Sequence, residues 1–199
     1  MAKNFKTKII AGKFKGRFID IPNTPTTRSS KSILRESLFN RLQFEIMGKR
    51  FVEVFAGSGS IGLEALSRGA DTCYFIEQDR DVFSILERNI EKLDSSRCIT
   101  IYGDSFEKFK TLLDRLIGDG ESTYFYFDPP FSIRDGMESV YRKTLKLIEM
   151  IDADIAEMVI IEHMSQEQMP DMIGAFQKVK SKRFGKSSLS YYEPIDVEK

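Results

Sequence analysis

Phe55-Ala-Gly-Ser-Gly-Ser-Ile-Gly62 follows a strand-like run, Phe51 to Phe55, and leads into a helical one, Ile61 to Arg68. Its glycines, Gly57, Gly59 and Gly62, have G-x-G-x-x-G spacing, which permits a tight turn and close approach of backbone to a ligand. Such a turn belongs between a strand and a helix of a doubly wound sheet, and the chain beyond it repeats that rhythm. Strands are read at Thr72 to Glu77, Cys98 to Tyr102, Tyr124 to Phe127 and Met158 to Glu162. Helices are read between them, at Asp79 to Leu93, about Ser105 to Leu116 and about Glu138 to Met150. This alternation predicts an α/β fold whose mostly parallel, Rossmann-like sheet is joined by right-handed crossovers and covered on both faces.

The two ends of the chain break the alternation. Lys8 to Ala11 and Arg17 to Ile21, around Gly12 and Gly16, read as a small N-terminal hairpin, and Pro22 to Thr27 as a linker. Ser30 to Glu45 carries Ile33, Leu34, Ser37, Leu38, Leu42 and Phe44 at helical spacing, with Ser29 or Ser30 as its cap. At the far end, Phe176 to Phe184 and Ser188 to Tyr192 meet through Gly185 without a helix, which predicts an antiparallel C-terminal hairpin. Residues 1–27 are therefore read as a basic hairpin and linker, and 28–199 as one main domain.

Net charge is zero, yet residues 1–50 hold twelve Lys or Arg against three acids, +9, leaving −9 for the remainder. That asymmetry points to an acidic partner at one end. Lys178, Lys180, Lys182, Arg183 and Lys186 make a second basic stretch. No apolar run approaches the roughly 20 residues of a membrane span, and no apolar run follows the basic N-terminus as in a secretory leader. A cytoplasmic location is expected. Cys73 and Cys98 are too few and too far apart for a zinc ribbon or disulfide framework and read as reduced structural thiols.

Ligands of open parallel sheets lie beyond the carboxyl ends of the strands, and Glu53, Glu77, Asp104 and Asp128 all stand at such ends, so one shared cleft is expected. Glu53, four residues before the first glycine, would repel a pyrophosphate but attract an ammonium and a sulfonium, the charges of S-adenosylmethionine. Glu77 lies about 20 residues past the glycines, where a carboxylate accepts from ribose hydroxyls. Asp79 reads equally as a helix cap or a ligand contact. Asp104 reads equally as an acceptor from adenine or a cap. Asp128-Pro-Pro-Phe131 offers hydrogen-bond acceptors and almost no donors, because proline lacks an N–H. Such a rim suits an exocyclic amine, with Phe131 stacking on its base. His163, the only histidine, reads as structural or as a cleft-rim residue ahead of a general base. HExxH, CxxC and Walker A patterns are absent, so no metal is expected.

With those residues in hand, the chain resembles the bacterial 16S ribosomal RNA (guanine(966)-N2)-methyltransferases over nearly its whole length. The likeness rests on Phe55-Ala-Gly-Ser-Gly59, Gly62-Leu-Glu-Ala-Leu-Ser-Arg-Gly-Ala70, Asp128-Pro-Pro-Phe131, Ile10-Ala-Gly12 with Lys15-Gly-Arg17, and Arg35-Glu-Ser-Leu-Phe-Asn40. It implies a class I fold and methyl transfer from S-adenosylmethionine to the N2 amine of a guanine in 16S RNA, within a small subunit or its assembly intermediate, by a monomer. Glu53, Gly57, Gly59, Glu77 and Asp104 would bind the cofactor, with Phe55, Ala56, Ser58, Gln78 and Ser105 around them. Asp128, Pro129, Pro130 and Phe131 would hold the amine. RNA would meet Lys13, Lys15, Arg17, Arg28, Lys31, Arg35, Lys182 and Arg183. The family usually has Asp where Glu53 stands, and Arg28-Ser-Ser-Lys-Ser-Ile-Leu-Arg35 lacks its Pro-Thr and Asp-Arg. Adenine N6 of nucleic acid or a protein amide is the alternative acceptor, and a non-catalytic cofactor-binding RNA module the alternative class.

Overall fold

A computed structural model of the chain describes residues 5–22, 28–118, 120–130 and 139–195. The chain divides into two compact units, residues 1–105 and 106–199. The first opens with strands β1 (Phe5–Lys8) and β2 (Phe18–Ile21), paired antiparallel from Phe5↔Ile21 to Lys8↔Phe18. The first strand thus precedes the expected Lys8 to Ala11, because Ile10 and Ala11 give their amides to a carboxylate instead of a strand: Glu64 Oε2 at 2.8 Å and Oε1 at 3.0 Å. Of the expected linker, residues 23–27 lie outside the described residues.

Helix α1 (Arg28–Leu42) starts earlier than expected, so Ser29 and Ser30 fall within its first turn. It buries Leu34, Leu38, Phe39 and Leu42, while Ile33 and Phe44 are exposed. The core-facing stripe is therefore an i, i+4, i+8 row, and the Phe39 ring rests 6.1 Å from that of Phe51. Strands β3 (Arg50–Glu53), β4 (Thr72–Glu77) and β5 (Cys98–Tyr102) pair in parallel in the order β5-β4-β3. Helices α2 (Gly62–Ser67) and α3 (Arg80–Leu93) connect them. Register sets Cys73 beside Cys98; both are free, and burial holds both thiols protonated, Cys98 up to about 12.

Helix α4 (Ser105–Ile117) leads into the second unit, where β6 (Thr123–Phe127) is buried throughout. The Phe109 ring meets Phe125 and Phe127 edge-on at 6.1 and 5.5 Å. After α5 (Ser139–Glu149), β7 (Ala156–Met164) pairs in parallel with β6. Strands β8 (Met172–Ile173), β9 (Phe176–Phe184) and β10 (Ser187–Pro194) then run antiparallel in the order β7-β10-β9-β8. The expected α/β alternation and C-terminal hairpin are present; β8, two residues long, is an addition.

Candidate functional site

The glycine turn begins where β3 ends. Ala56 N–H donates to Ile76 O, extending the β3–β4 ladder, and Gly59 N–H closes back on Ala56 O at 2.8 Å. Gly57 (φ +54°) and Gly59 (φ +78°) occupy the left-handed region that side chains disfavour. The glycines serve different ends. A Cβ on Gly59 would stand 2.5 Å from a Leu86 methyl, and one on Gly62 2.4 Å from the Phe75 ring, so these two keep the turn packed. A Cβ on Gly57 would meet nothing within 4 Å. Of the three turn glycines it alone has an open Cβ side.

Two carboxylates organise this turn. Glu53 is buried, with Oε2 accepting from Gly62 N–H at 2.8 Å and Oε1 from Ile61 N–H at 3.3 Å. It sits at the positive end of α2, where an anion is favoured, and so holds the turn's own amides, a task its sequence position did not reveal. Glu77 accepts from Gly57 N–H at 2.8 Å and from Asp79 N–H at 2.7 Å, fixing its carboxylate beside the open glycine. Asp79 caps α3, its Oδ1 accepting from Asp81 and Val82 N–H, as one of its two readings expects. Gln78 is exposed, and Phe55 and Asp104 are half-buried. The Ser105 hydroxyl is buried and donates to Val54 O, just past β3, at 2.5 Å.

Asn89 was missing from the expected site. Fully buried on α3, its Nδ2 donates to Ser58 O at 3.0 Å and to Asp20 O at 2.8 Å, while Oδ1 accepts from Asp20 N–H at 2.8 Å. One side chain therefore ties the N-terminal hairpin to the glycine turn. Its signal in the sequence was an amide among Ile85, Leu86 and Ile90 on the apolar face of an amphipathic helix.

The hairpin is clamped elsewhere as well. Glu64, buried, also accepts from Arg68 Nε at 2.8 Å, and Arg35 donates to Lys8 O and Thr7 Oγ1 at 2.7 and 3.1 Å. Arg35, expected to meet RNA, is 4% exposed, and its guanidinium is bonded to the hairpin. Lys13, Lys15, Arg17 and Lys31 are exposed. Lys13 meets Asp94 at 3.3 Å, and Arg17 donates to Lys92 O at 2.8 Å. The side chain of Arg28 and the whole of Phe131 lie outside the described residues.

In the second unit, Asp128 follows β6, whose last residue, Phe127, pairs with Ile161 of β7. Pro129 is buried and Pro130 exposed. Next to this corner, Tyr126 donates to Glu162 Oε2 at 2.6 Å, and the Tyr141 hydroxyl accepts from Met164 N–H at 2.9 Å. Burial first, then the charges of Glu167, Asp128 and Glu162, push the Tyr141 phenol up to about 12, so it stays protonated. His163 is buried between Met164 O and Ser190 Oγ, both at 2.9 Å, and lines a cleft of about 510 Å³ with Ser165 and Lys178. Burial lowers its pKa and keeps it neutral. Lys182 and Arg183 are exposed on β9. Among the described residues no group of three or more His, Cys, Asp or Glu could hold a metal ion, and no helix is long and apolar enough to cross a membrane.

The family model described as "Conserved hypothetical protein 95" matches residues 7–193. "Putative rRNA methyltransferase YlbH" of Bacillus subtilis is 26% identical over 190 residues, 94% of this chain and 98% of that protein. "Ribosomal RNA small subunit methyltransferase D" of Buchnera aphidicola is 31% identical over 147 residues, 74% of this chain and 72% of that protein. A solved structure described as "Putative methyltransferase yhhF from Escherichia coli" superposes with a TM-score of 0.74 at 27% identity, covering 96% of this chain and 98% of that one.

Proposed function

The chain belongs to the Conserved hypothetical protein 95 family, and from that membership and the geometry of its sites we propose that it is a ribosomal RNA methyltransferase, transferring a methyl group from S-adenosylmethionine to the N2 amine of a guanine in 16S RNA. In this reading residues 1–27 grip RNA, residues 28–199 carry the chemistry, and a monomer acts in the cytoplasm on the small subunit or its assembly intermediate.

The cofactor fits the residues present. Gly57, the one turn glycine whose Cβ side is empty, leaves room for a nucleoside, and Glu77, already fixed against the Gly57 amide, has lone pairs remaining for ribose hydroxyls. Glu53 adds negative charge beneath the turn, which favours a cation over it. When bound, the cofactor supplies an electrophilic methyl group on a positively charged sulfur.

The observation that carries the choice of acceptor is the corner after β6. Asp128 offers a carboxylate, and Pro129 and Pro130 have no N–H to compete for it. Asp128 and the Pro129 carbonyl would accept the two amine hydrogens, drawing the nitrogen lone pair out of conjugation with the ring and toward the methyl. As the new N–C bond forms the C–S bond breaks, and the nitrogen's surplus proton leaves to Asp128 or to solvent. Positioning supplies the acceleration, so no covalent nucleophile is needed.

Mass mapping of methylated nucleosides in 16S RNA treated with the purified protein tests this. N2-methylguanine is expected from the parent, and its loss in Asp128→Ala with calorimetric affinity for S-adenosylhomocysteine retained. Methylated adenine, or methylated protein with no RNA product, would replace the acceptor. Undiminished methylation by Asp128→Ala would remove the corner from the reaction.

A further inference from the structure

The hairpin has one face that its anchoring does not explain. Cross-strand partners share a face of an antiparallel pair, so Phe5, Thr7, Ile19 and Ile21 lie on one side, where Ile19 is fully buried. Lys6, Lys8, Phe18 and Asp20 lie on the other. There Phe18 is 52% exposed, with the Lys8 ammonium 5.0 Å from its ring centroid. Asp20, the only acid of the hairpin, is paired with Lys92. Lys13, Lys15 and Arg17, in the connecting loop, add exposed cations.

We infer that Phe18 is a stacking platform for an unpaired RNA base, with Lys8 and Lys6 beside it for the flanking phosphates; this rests on the RNA reading above. An aromatic ring within a cationic surface is the combination by which proteins hold single-stranded nucleic acid, since every base has a π-face and every nucleotide a charge. On binding, the Lys8 ammonium exchanges the ring for a phosphate oxygen, a stronger partner. The platform is preorganised, because Arg35 holds the carbonyl of Lys8 and Asn89 both backbone groups of Asp20, so little ordering is needed on association. A membrane surface is disfavoured, because a single ring is a small apolar face against that of interfacial helices.

The test compares the parent with Phe18→Leu, Phe18→Trp and Lys8→Met, using a labelled unpaired oligoadenylate, an RNA duplex of equal length, and anionic phosphatidylserine vesicles. Phe18→Leu should weaken oligoadenylate binding by about 5- to 150-fold with an unchanged salt slope. Phe18→Trp should restore it, and duplex binding should not move. Lys8→Met should lower the salt slope by about one. Parent-like oligoadenylate affinity in Phe18→Leu, an equal loss on duplex, or vesicle binding that depends on Phe18 while RNA binding does not, would each overturn the platform. A parent that methylates ribosomal RNA while Phe18→Leu keeps its RNA KM overturns the platform alone. A parent that methylates no RNA overturns the enzymatic reading, whatever Phe18 does.

Discussion

Replacing Asn89 by leucine keeps the bulk of the side chain and deletes its amide. Three hydrogen bonds go, at 2.8, 2.8 and 3.0 Å. At roughly 0.5–1.5 kcal/mol net for each, with the Ser58 carbonyl left inside a fully buried site and the half-buried Asp20 groups partly rescued by water, the loss should be about 3 kcal/mol. That is a large share of the 5–15 kcal/mol typical of a folded domain. Urea denaturation at unchanged m-value would register it, and amide exchange at Asp20 should accelerate ahead of the β4 core. Asn89→Asp makes a sharper comparison. It keeps the acceptor for Asp20 N–H but sets an oxygen against the carbonyls of Asp20 and Ser58, so the new carboxyl is driven to stay protonated in the folded state. Its folded pKa then lies above the unfolded value of about 3.9. Its stability is nearest the parent's below that value and is lost as pH rises, so the deficit should be larger at pH 7 than at pH 4. Both variants should also bind S-adenosylhomocysteine more weakly, because Ser58 is no longer held. A leucine variant within 1 kcal/mol of the parent, with Asp20 equally protected, would refute the reasoning.

Gly12→Ala should detach the hairpin tip, since its Cβ would lie 1.8 Å from the carbonyl oxygen of Ser67 and φ is +83°; exchange at the Lys13 and Phe14 amides, which donate to Ser67 O and Oγ, should rise, and unchanged exchange would refute this. Burial holds the pKa of His163 below its ordinary 6.5, so the unfolded chain binds the proton first and stability should fall as pH drops below about 6.5. The slope of Tm against pH should be shallower there for His163→Gln, and equal slopes would exclude His163 as its source.

The parallel core was legible because short buried strands and amphipathic helices have different periods, and the glycine turn because left-handed backbone and close packing favour glycine at Gly59. What escaped depends on contacts distant in the chain. Asn89 meets Asp20 across 69 residues, and Glu64 meets Ile10 across 54. Arg35 reads from sequence as an RNA contact because charge in a basic segment reads as surface, whereas its burial, its bonds to Thr7 and Lys8 and its approach to Glu64 at 3.8 Å depend on contacts distant in the chain. Glu53 reads from sequence as a strand-end acid facing a ligand; that two amides of the turn also reach it depends on how the turn folds back. The start of β1 was misplaced because the Ile10 and Ala11 amides are drawn to Glu64, which no local pattern announces.

Strand β9 has a full antiparallel partner on one side, but β8 covers only Phe176 and Gln177 on the other. The Lys178 amide also donates to Asp171 O at 2.8 Å on that side, and past it no described strand pairs with β9 there, which makes a border of the kind on which chains add to one another and precipitate. Lys180, Lys182 and Arg183 stand along that border and repel a second copy of it. Neutralising them to probe RNA binding would also lower colloidal stability, so a weakened titration with those variants has meaning only once light scattering shows them still dispersed.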